Sequence, residues 1–445
     1  MFTLTAAKRA QHISAAEAAS LVTSGMWLDY GLCIGQPDVF DKALGARARE
    51  VRGVKIRSCL SLRPRAYHEP DPNGEHILSL SWHFSGYDRR QHDAGRCNYI
   101  PLNLGEWPDL YRRFIAPPDI AILKCCPKDA HGFYNFSAAA SYLRALVERA
   151  KIVIVEINEA LPYCHGTNNG VHESEIDFLI DGDGLPPVEL PNPAATDVDR
   201  KIANLIAAEV SDGACLQIGI GGMPNAVCGS LKDAGLKDLG VSTEMMVDGL
   251  MELTQAGIVT NARKQSDPGK SVYTFAAGSR KLYQFIDRNP YLAIRSVDET
   301  NLPHNVARNH QVVAVNSTGQ MDLQGQAASE SAGHRHFTGT GGQLHFVRGA
   351  YQSEGGKAFL CMPSTYDKDK SGVRKSRVVL DLPPGTTVTT PRTDVMYVVT
   401  EYGMVNLKGK SVAERAQAMI SIAHPDFREG LERDARDKGL IPRGF

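Results

Sequence analysis

An internal echo restricts the fold more than any other feature of this chain. Gly25-Met-Trp-Leu-Asp-Tyr-Gly31, then Gly35-Gln-Pro37 and Leu44, returns as Gly213-Ala-Cys-Leu-Gln-Ile-Gly219, then Gly222-Met-Pro224 and Leu231. The offset is 188 from Gly25 to Gly213 and 187 from Gly35 to Gly222. Further on, Ile120-Ala-Ile122 precedes Asp129 and Gly132. Val313-Ala-Val315 precedes Asp322 and Gly325 with the same internal spacing, now offset by 193 from Ile120 to Val313. One echo arises easily by chance; two in the same order at nearly the same offset point to duplication. At 445 residues the chain also exceeds one ordinary core, so two related domains are expected.

Each copy opens on a helical pattern, Ala15 to Ser24 and Asp199 to Val210. A short apolar strand, a Gly/Pro turn and another helix follow. Ile152-Val-Ile-Val-Glu-Ile157 and Val395-Met-Tyr-Val-Val399 read as strands buried on both faces. Strands alternating with helices indicate an α/β protein with a largely parallel sheet in each half. The boundary is expected in Gly182 to Thr196, where Gly-Asp-Gly-Leu-Pro-Pro and Pro-Asn-Pro break regular structure. That gives domains of 1–185 and 186–445, the second carrying the candidate catalytic residue. Asp367 to Ser376 reads as a polar loop between strands.

Composition narrows the function. A net charge of −1 offers no field of one sign, which argues against nucleic-acid and membrane partners and leaves anionic substrates to local groups. Met1 to Ala18 has no apolar core of the secretory type, and no apolar run is long enough to span a bilayer. The nine cysteines are scattered, with no C-x-x-C pair and Cys125-Cys126 adjacent. Such a set fits reduced thiols in the cytoplasm and no metal site.

Several familiar signatures fail. Gly219-Ile-Gly221 begins like a dinucleotide fingerprint, but Pro224 occupies the third glycine position. The Gly-Lys-Ser triplets at Gly409 and Gly269 lack the earlier glycine of a P-loop; Met404 and Lys264 stand there. No G-x-S-x-G elbow supplies a serine nucleophile.

Three segments remain. Gly219 to Asn225 joins the strand Ala214 to Ile218 to a helix starting near Asn225, and such a turn either binds an anionic oxygen or is a plain packing connection. Glu244 follows Ser242 and Thr243, either of which can cap a helix from Met245 onward; the carboxylate is then a first-turn acid or a nucleophile. Gly339-Thr-Gly-Gly-Gln343 is a second glycine turn, followed by the strand-like Leu344-His-Phe-Val347. Backbone donors and a carboxylate together make acyl transfer possible without serine, cysteine or metal.

The ordered stretches Gly219-Ile-Gly-Gly-Met-Pro-Asn-Ala-Val227, Ser242-Thr-Glu-Met-Met-Val-Asp-Gly249 and Ala256-Gly-Ile-Val-Thr-Asn261 carry a resemblance, continued by Phe275-Ala-Ala-Gly-Ser279, Gly339 to Gln343, Thr400-Glu-Tyr-Gly403, Asn406 to Ser411 and Ser421-Ile-Ala-His-Pro-Asp-Phe427. Over nearly its whole length the chain resembles the acetyl-CoA hydrolase/transferase group of family I CoA transferases, which contains 4-hydroxybutyrate and butyrate–acetate CoA-transferases. The resemblance implies two tandem CoA-transferase α/β domains with the active site between them. It puts Glu244 on the family's glutamate nucleophile. It puts the turn of Gly219, Gly221, Gly222, Met223, Pro224 and Asn225 on the CoA-contacting and oxyanion turn, and Gly341-Gly342 on the second glycine motif. It also implies a homodimer or larger homo-oligomer, coenzyme A as substrate, and no permanently bound cofactor.

Tyr163-Cys-His-Gly-Thr-Asn-Asn169, before Ser174-Glu-Ile-Asp177, departs from the Leu-Gly type of many relatives. Ser81-Trp-His-Phe-Ser-Gly-Tyr-Asp-Arg-Arg90 with His92-Asp-Ala-Gly-Arg96 is most similar to the subgroup acting on itaconate. A dicarboxylate needs a cation for its distal end, and Arg89, Arg90 or Arg63 can serve; alternatively these arginines are solvated or pair with Asp88 and Asp93. The reaction expected is ping-pong transfer of CoA from an acyl-CoA, such as succinyl-CoA or acetyl-CoA, to a small carboxylic acid through a γ-glutamyl-CoA thioester. The rivals are a butyrate–acetate or 4-hydroxybutyrate CoA-transferase, an acyl-CoA hydrolase, and a CoA-binding sensor that never turns over.

Overall fold

The computed structural model describes residues 10–190, 193–219, 221–367 and 372–444. They group into two compact units, one within Met1–Pro191 plus Val272–Thr300, the other within Asn192–Ser271 plus Asn301–Phe445.

The first unit is built on an eight-stranded sheet. Its order is Gln11–His12, Phe178–Asp181, Ile152–Ile157, Ile120–Cys125, Trp27–Leu32, Val54–Cys59, Ile77–Ser81 and Cys97–Tyr99, with every neighbour parallel. The run Ile120–Cys125 is buried at all six positions, as an inner parallel strand covered on both faces requires. The expected helix at Ala15 is shorter than its pattern, Ala15–Ser20. Ser14 and Glu17 close its start reciprocally, and Leu21 ends it.

The second unit carries six strands in the order Gly240–Val241, Cys215–Ile218, Val312–Ser317, Lys357–Cys361, Tyr397–Thr400 and Gly403–Asn406. All pairs are parallel except the last, which is an antiparallel hairpin. The helix expected at Asp199 spans Asp197–Ala207. Thr196 and Asp199 form its capping box, and Ile202, Ala203 and Ile206 face inward. Phe346, Val347, Leu360 and Val398 belong to the core packed on this sheet.

Five consecutive strands of the two sheets match. Val54, Trp27, Ile120, Ile152 and Phe178 begin consecutive neighbours in the first; Gly240, Cys215, Val312, Lys357 and Tyr397 do so in the second. The registers agree as well: Leu28 lies opposite Ile120, and its counterpart Leu216 lies opposite Val313. Both echoes seen in the sequence thus fall on equivalent strands.

Three local expectations change. Compactness assigns Val272–Thr300 to the first unit rather than to a second domain of 186–445. The reason is backbone pairing: Ala276 N–H donates to Ala138 O at 2.9 Å and Ile294 N–H to His165 O at 2.8 Å. Leu344 to Val347 is not strand but part of the helix Gln343–Gln352. Its buried Gln343, Phe346, Val347 and Ala350 follow helical spacing, and Phe346 N–H closes the first turn on Gly342 O at 3.0 Å. Glu244 is not in the first turn of a helix: it lies between Gly240–Val241 and the two-residue strand Met245–Met246, and the next helix, Asp248–Gln255, starts only after Val247. Of the loop expected at Asp367 to Ser376, positions 368–371 lie outside the described residues, as do 191 and 192 in the expected boundary. The flanking Thr365–Tyr366 and Lys375–Ser376 pair antiparallel.

Candidate active site

Glu244 sits in a tight turn of the second unit. Ser242 N–H donates to Leu216 O at 3.1 Å, so the chain leaves the sheet there. Thr243 is fully buried and donates from Oγ1 to Met245 O at 3.2 Å. Between these anchors the Glu244 side chain is part-buried. Its Oε2 accepts from Asn301 Nδ2 at 2.6 Å, and the Gly342 backbone N–H donates to the same carboxylate. Burial pushes the Glu244 carboxyl up to about 7, against those two hydrogen bonds, which favour the ionised form. The group therefore changes charge near neutral pH.

Gly342 is glycine for space rather than for torsion, since its φ is −96°. A Cβ there would collide with Glu244 Oε2 and Asn301 Nδ2 and crowd Phe346. Its neighbour Gly341 does need glycine's freedom, with φ +60°. The two glycines divide the labour: one turns the chain, and the other lets a backbone donor reach the carboxylate.

The first glycine turn has a different construction. The helix after it spans Gly222–Asp233, one turn earlier than a start near Asn225, with Gly221 as N-cap at φ +123°. Few residues but glycine hold that torsion. Gly219 N–H still belongs to the sheet, donating to Val315 O at 3.1 Å, and Ile220 lies outside the described residues. Asn225 N–H is the first to bond within the helix, to Gly221 O at 3.1 Å. Pro224 has no N–H. Gly222 and Met223 are therefore the first-turn donors without an intrahelical acceptor. The helix Asp248–Gln255, just past Glu244, packs on this helix, and Gly249 permits the approach because a Cβ would strike Cys228.

The first unit shows what the same position becomes when it is closed. Its equivalent helix, Val39–Ala46, starts one turn later. Asp38, Val39 and Phe40 donate their N–H groups to the Glu156 carboxylate at 2.9, 3.0 and 3.0 Å. Glu156 pairs with Lys124 across the strands, where the second unit pairs Cys361 with Ser317. One copy thus fills its helix start with an internal carboxylate. The other extends the helix by a turn and carries no such acid in that register.

Arg89 and Arg90 lie on the helix Gly86–Asp93 of the first unit. Arg90 is exposed, with its guanidinium 5.9 Å from the Tyr87 ring centroid, and Arg89 is part-buried. The Asp88 carboxylate serves the backbone rather than these arginines: it accepts from Ser61 N–H at 3.0 Å and Ser85 N–H at 2.9 Å, capping the helix. Arg63 is engaged by Asp38 at 3.4 Å and Pro186 O at 2.7 Å. Sequence reasoning missed Asn301. It ends a five-residue helix far from Glu244 in the chain, and no motif marks it. Among the described residues there is no cluster of His, Cys, Asp or Glu able to hold a metal ion.

The N-terminal domain model of the acetyl-CoA hydrolase/transferase family matches residues 7–188, and its C-terminal domain model matches residues 278–435. The chain is 43% identical to a butyryl-CoA:acetate CoA-transferase of Anaerostipes caccae over 95% of each chain. It is 41% identical to a succinyl-CoA:cyclohexane-1-carboxylate CoA transferase of Geobacter metallireducens, covering 96% of this chain and 95% of that one. The crystal structure of RipA from Yersinia pestis aligns with a TM-score of 0.88 at 36% identity, over 97% of this chain and 98% of that one. Both halves match the family and whole-length relatives exceed 40% identity, so the chain belongs to the acetyl-CoA hydrolase/transferase family and is an enzyme that transfers CoA between carboxylic acids.

Proposed function

We propose that this enzyme moves CoA by ping-pong exchange through a γ-glutamyl-CoA thioester on Glu244. The observation that carries the reading is the Glu244 carboxylate itself, part-buried, held by Asn301 Nδ2 and the Gly342 N–H, and poised near neutrality. The ionised oxygen attacks the donor thioester carbonyl and CoA thiolate leaves, giving an acyl-glutamyl anhydride. The thiolate then attacks the glutamyl carboxyl carbon, Cδ; the thioester forms and the donor acid departs as carboxylate. An acceptor carboxylate attacks that carbon and releases the thiolate. The thiolate takes the acceptor's acyl group from the new anhydride, regenerating Glu244. Each step exchanges one acyl bond for another, so the thioester's free energy is conserved and CoA serves as substrate. The Gly342 N–H supports the glutamyl oxyanion, and the Gly222 and Met223 donors suit an anionic part of the acyl-CoA.

For the acceptor we favour a small dicarboxylate, itaconate, on the strength of the Ser81–Arg96 segment, whose Arg90 presents an exposed cation. The relatives' names favour monocarboxylates such as butyrate and acetate as the second reading. A cytoplasmic homo-oligomer is the setting we propose; nine cysteines, all free and buried, suit a reducing compartment. Among the described residues no helix is long and apolar enough to cross a membrane.

The test is to add acyl-CoA without acceptor and map the covalent product by peptide mass spectrometry. CoA is expected on Glu244, and initial rates with both substrates varied should give parallel double-reciprocal lines. Label on another residue, or intersecting lines, would end the glutamyl-CoA reading. Steady CoA release in the absence of any acceptor acid would turn it into a hydrolase.

A further inference from the structure

Glu330 lies in the second unit and is only 3% exposed, yet nothing in the reaction above uses it. Its carboxylate accepts from two hydroxyls, Thr340 Oγ1 on Oε2 at 2.9 Å and Thr389 Oγ1 on Oε1 at 3.0 Å. Its backbone carbonyl accepts from Phe337 N–H at 3.0 Å, so the segment from 330 to 340 is tied at both ends. Thr389 is itself anchored: its Oγ1 accepts from Ser329 N–H at 3.0 Å, and its N–H donates to Ala327 O at 2.8 Å. Thr340 stands two residues before Gly342.

We propose that Glu330 is a positioning residue for acyl transfer, holding the turn at 339–342 so that the Gly342 N–H stays on the Glu244 carboxylate. The inference rests on Glu244 as nucleophile. The turn contains three glycines, one of them left-handed, and such a backbone has many conformations to lose. A donor aimed at a reacting oxygen helps only if it is already in place when charge develops. Hydrogen bonds to a buried carboxylate are among the stronger ties available, and here they join the turn to the 327–330 and 389 backbone.

Thr340→Val keeps the side chain's shape and removes the hydroxyl; Thr340→Ser keeps the hydroxyl. Glu330→Gln keeps an acceptor but cannot receive both hydroxyls as the carboxylate does. For Thr340→Val and Glu330→Gln, kcat should fall about 10-fold or more while KM for acyl-CoA stays within about twofold, because the loss falls on the chemical step. Thr340→Ser should recover most of the rate. A wild-type kcat in both damaged variants, a Ser variant as slow as the Val variant, or a loss confined to KM would each overturn the proposal. Glu244→Ala run alongside separates the two readings. Activity there removes the nucleophile; inactivity there with Thr340→Val unaffected removes only the role of Glu330.

Discussion

Glu244 shows the cost of burying a carboxylate at the scale of one residue. Its ordinary value is 4.5, and burial raises it to about 7 in the fold. Between these values the folded chain holds a proton that the unfolded chain has released. Stability contributed by this group is therefore greatest below pH 4.5, is lost as pH rises to about 7, and is constant above. Glu244→Gln removes the titration and keeps an oxygen for Asn301. Its unfolding free energy in urea should match wild type near pH 4.5 and exceed it at pH 8, by about 1–2 kcal/mol once solvent screening of a part-buried group is allowed for. With Glu244 as the proposed nucleophile, the same shift predicts that kcat/KM for the acyl-CoA rises with pH through about 7, because attack needs the carboxylate. A stability gap that is the same at both pH values would mean that the carboxyl is solvated and titrates near its ordinary value.

Two equivalent helices, one from each unit, show how a one-turn difference in where an element starts gives it a different role. The helix at Val39 is closed by Glu156, which has no solvent exposure and three backbone donors on it. Lys124 pairs with Asp38 at 2.6 Å beside it, so the closure is part of a buried charged cluster. Glu156→Ala should strand those donors and leave Lys124 with one fewer neighbouring carboxylate. The expected loss is about 3 kcal/mol, read from urea unfolding followed by near-UV signals of the first unit's buried tryptophans. Trp82 and Trp107 lie in that unit, which makes the signal local to it. A loss under about 1 kcal/mol would show that water replaces the carboxylate without penalty. In the second helix the extra turn moves the open donors to Gly222 and Met223, since Gly221 O already accepts from Asn225 N–H.

At the scale of the whole molecule, specificity is a matter of which acid the enzyme accepts. Arg89→Met and Arg90→Met keep the aliphatic stem and delete the charge. If an arginine there grips a distal carboxylate, kcat/KM for itaconate should fall ~10–100-fold in one of them while butyrate changes far less. Equal losses for both acids would make the arginine structural, and a wild-type preference for acetate over itaconate would return the enzyme to its monocarboxylate relatives. Much of the architecture was legible before the structure. The repeated glycine-bearing segments foretold two equivalent parallel sheets, because strand, turn and helix are each encoded within a few neighbouring residues. The glycines at 221 and 342 stood out for the same local reason. What the chain alone could not specify was every partnership made across distance. Asn301 reaches Glu244 from 57 positions away, Val272–Thr300 returns to the first unit, and Leu344 to Val347 becomes helix once Gly341 has turned the chain. Glu156 reads as one more polar residue in an apolar run until the register sets it under three N–H groups. Local torsional preference determined the elements; packing and hydrogen-bond satisfaction, which depend on all the elements at once, decided which side chains met.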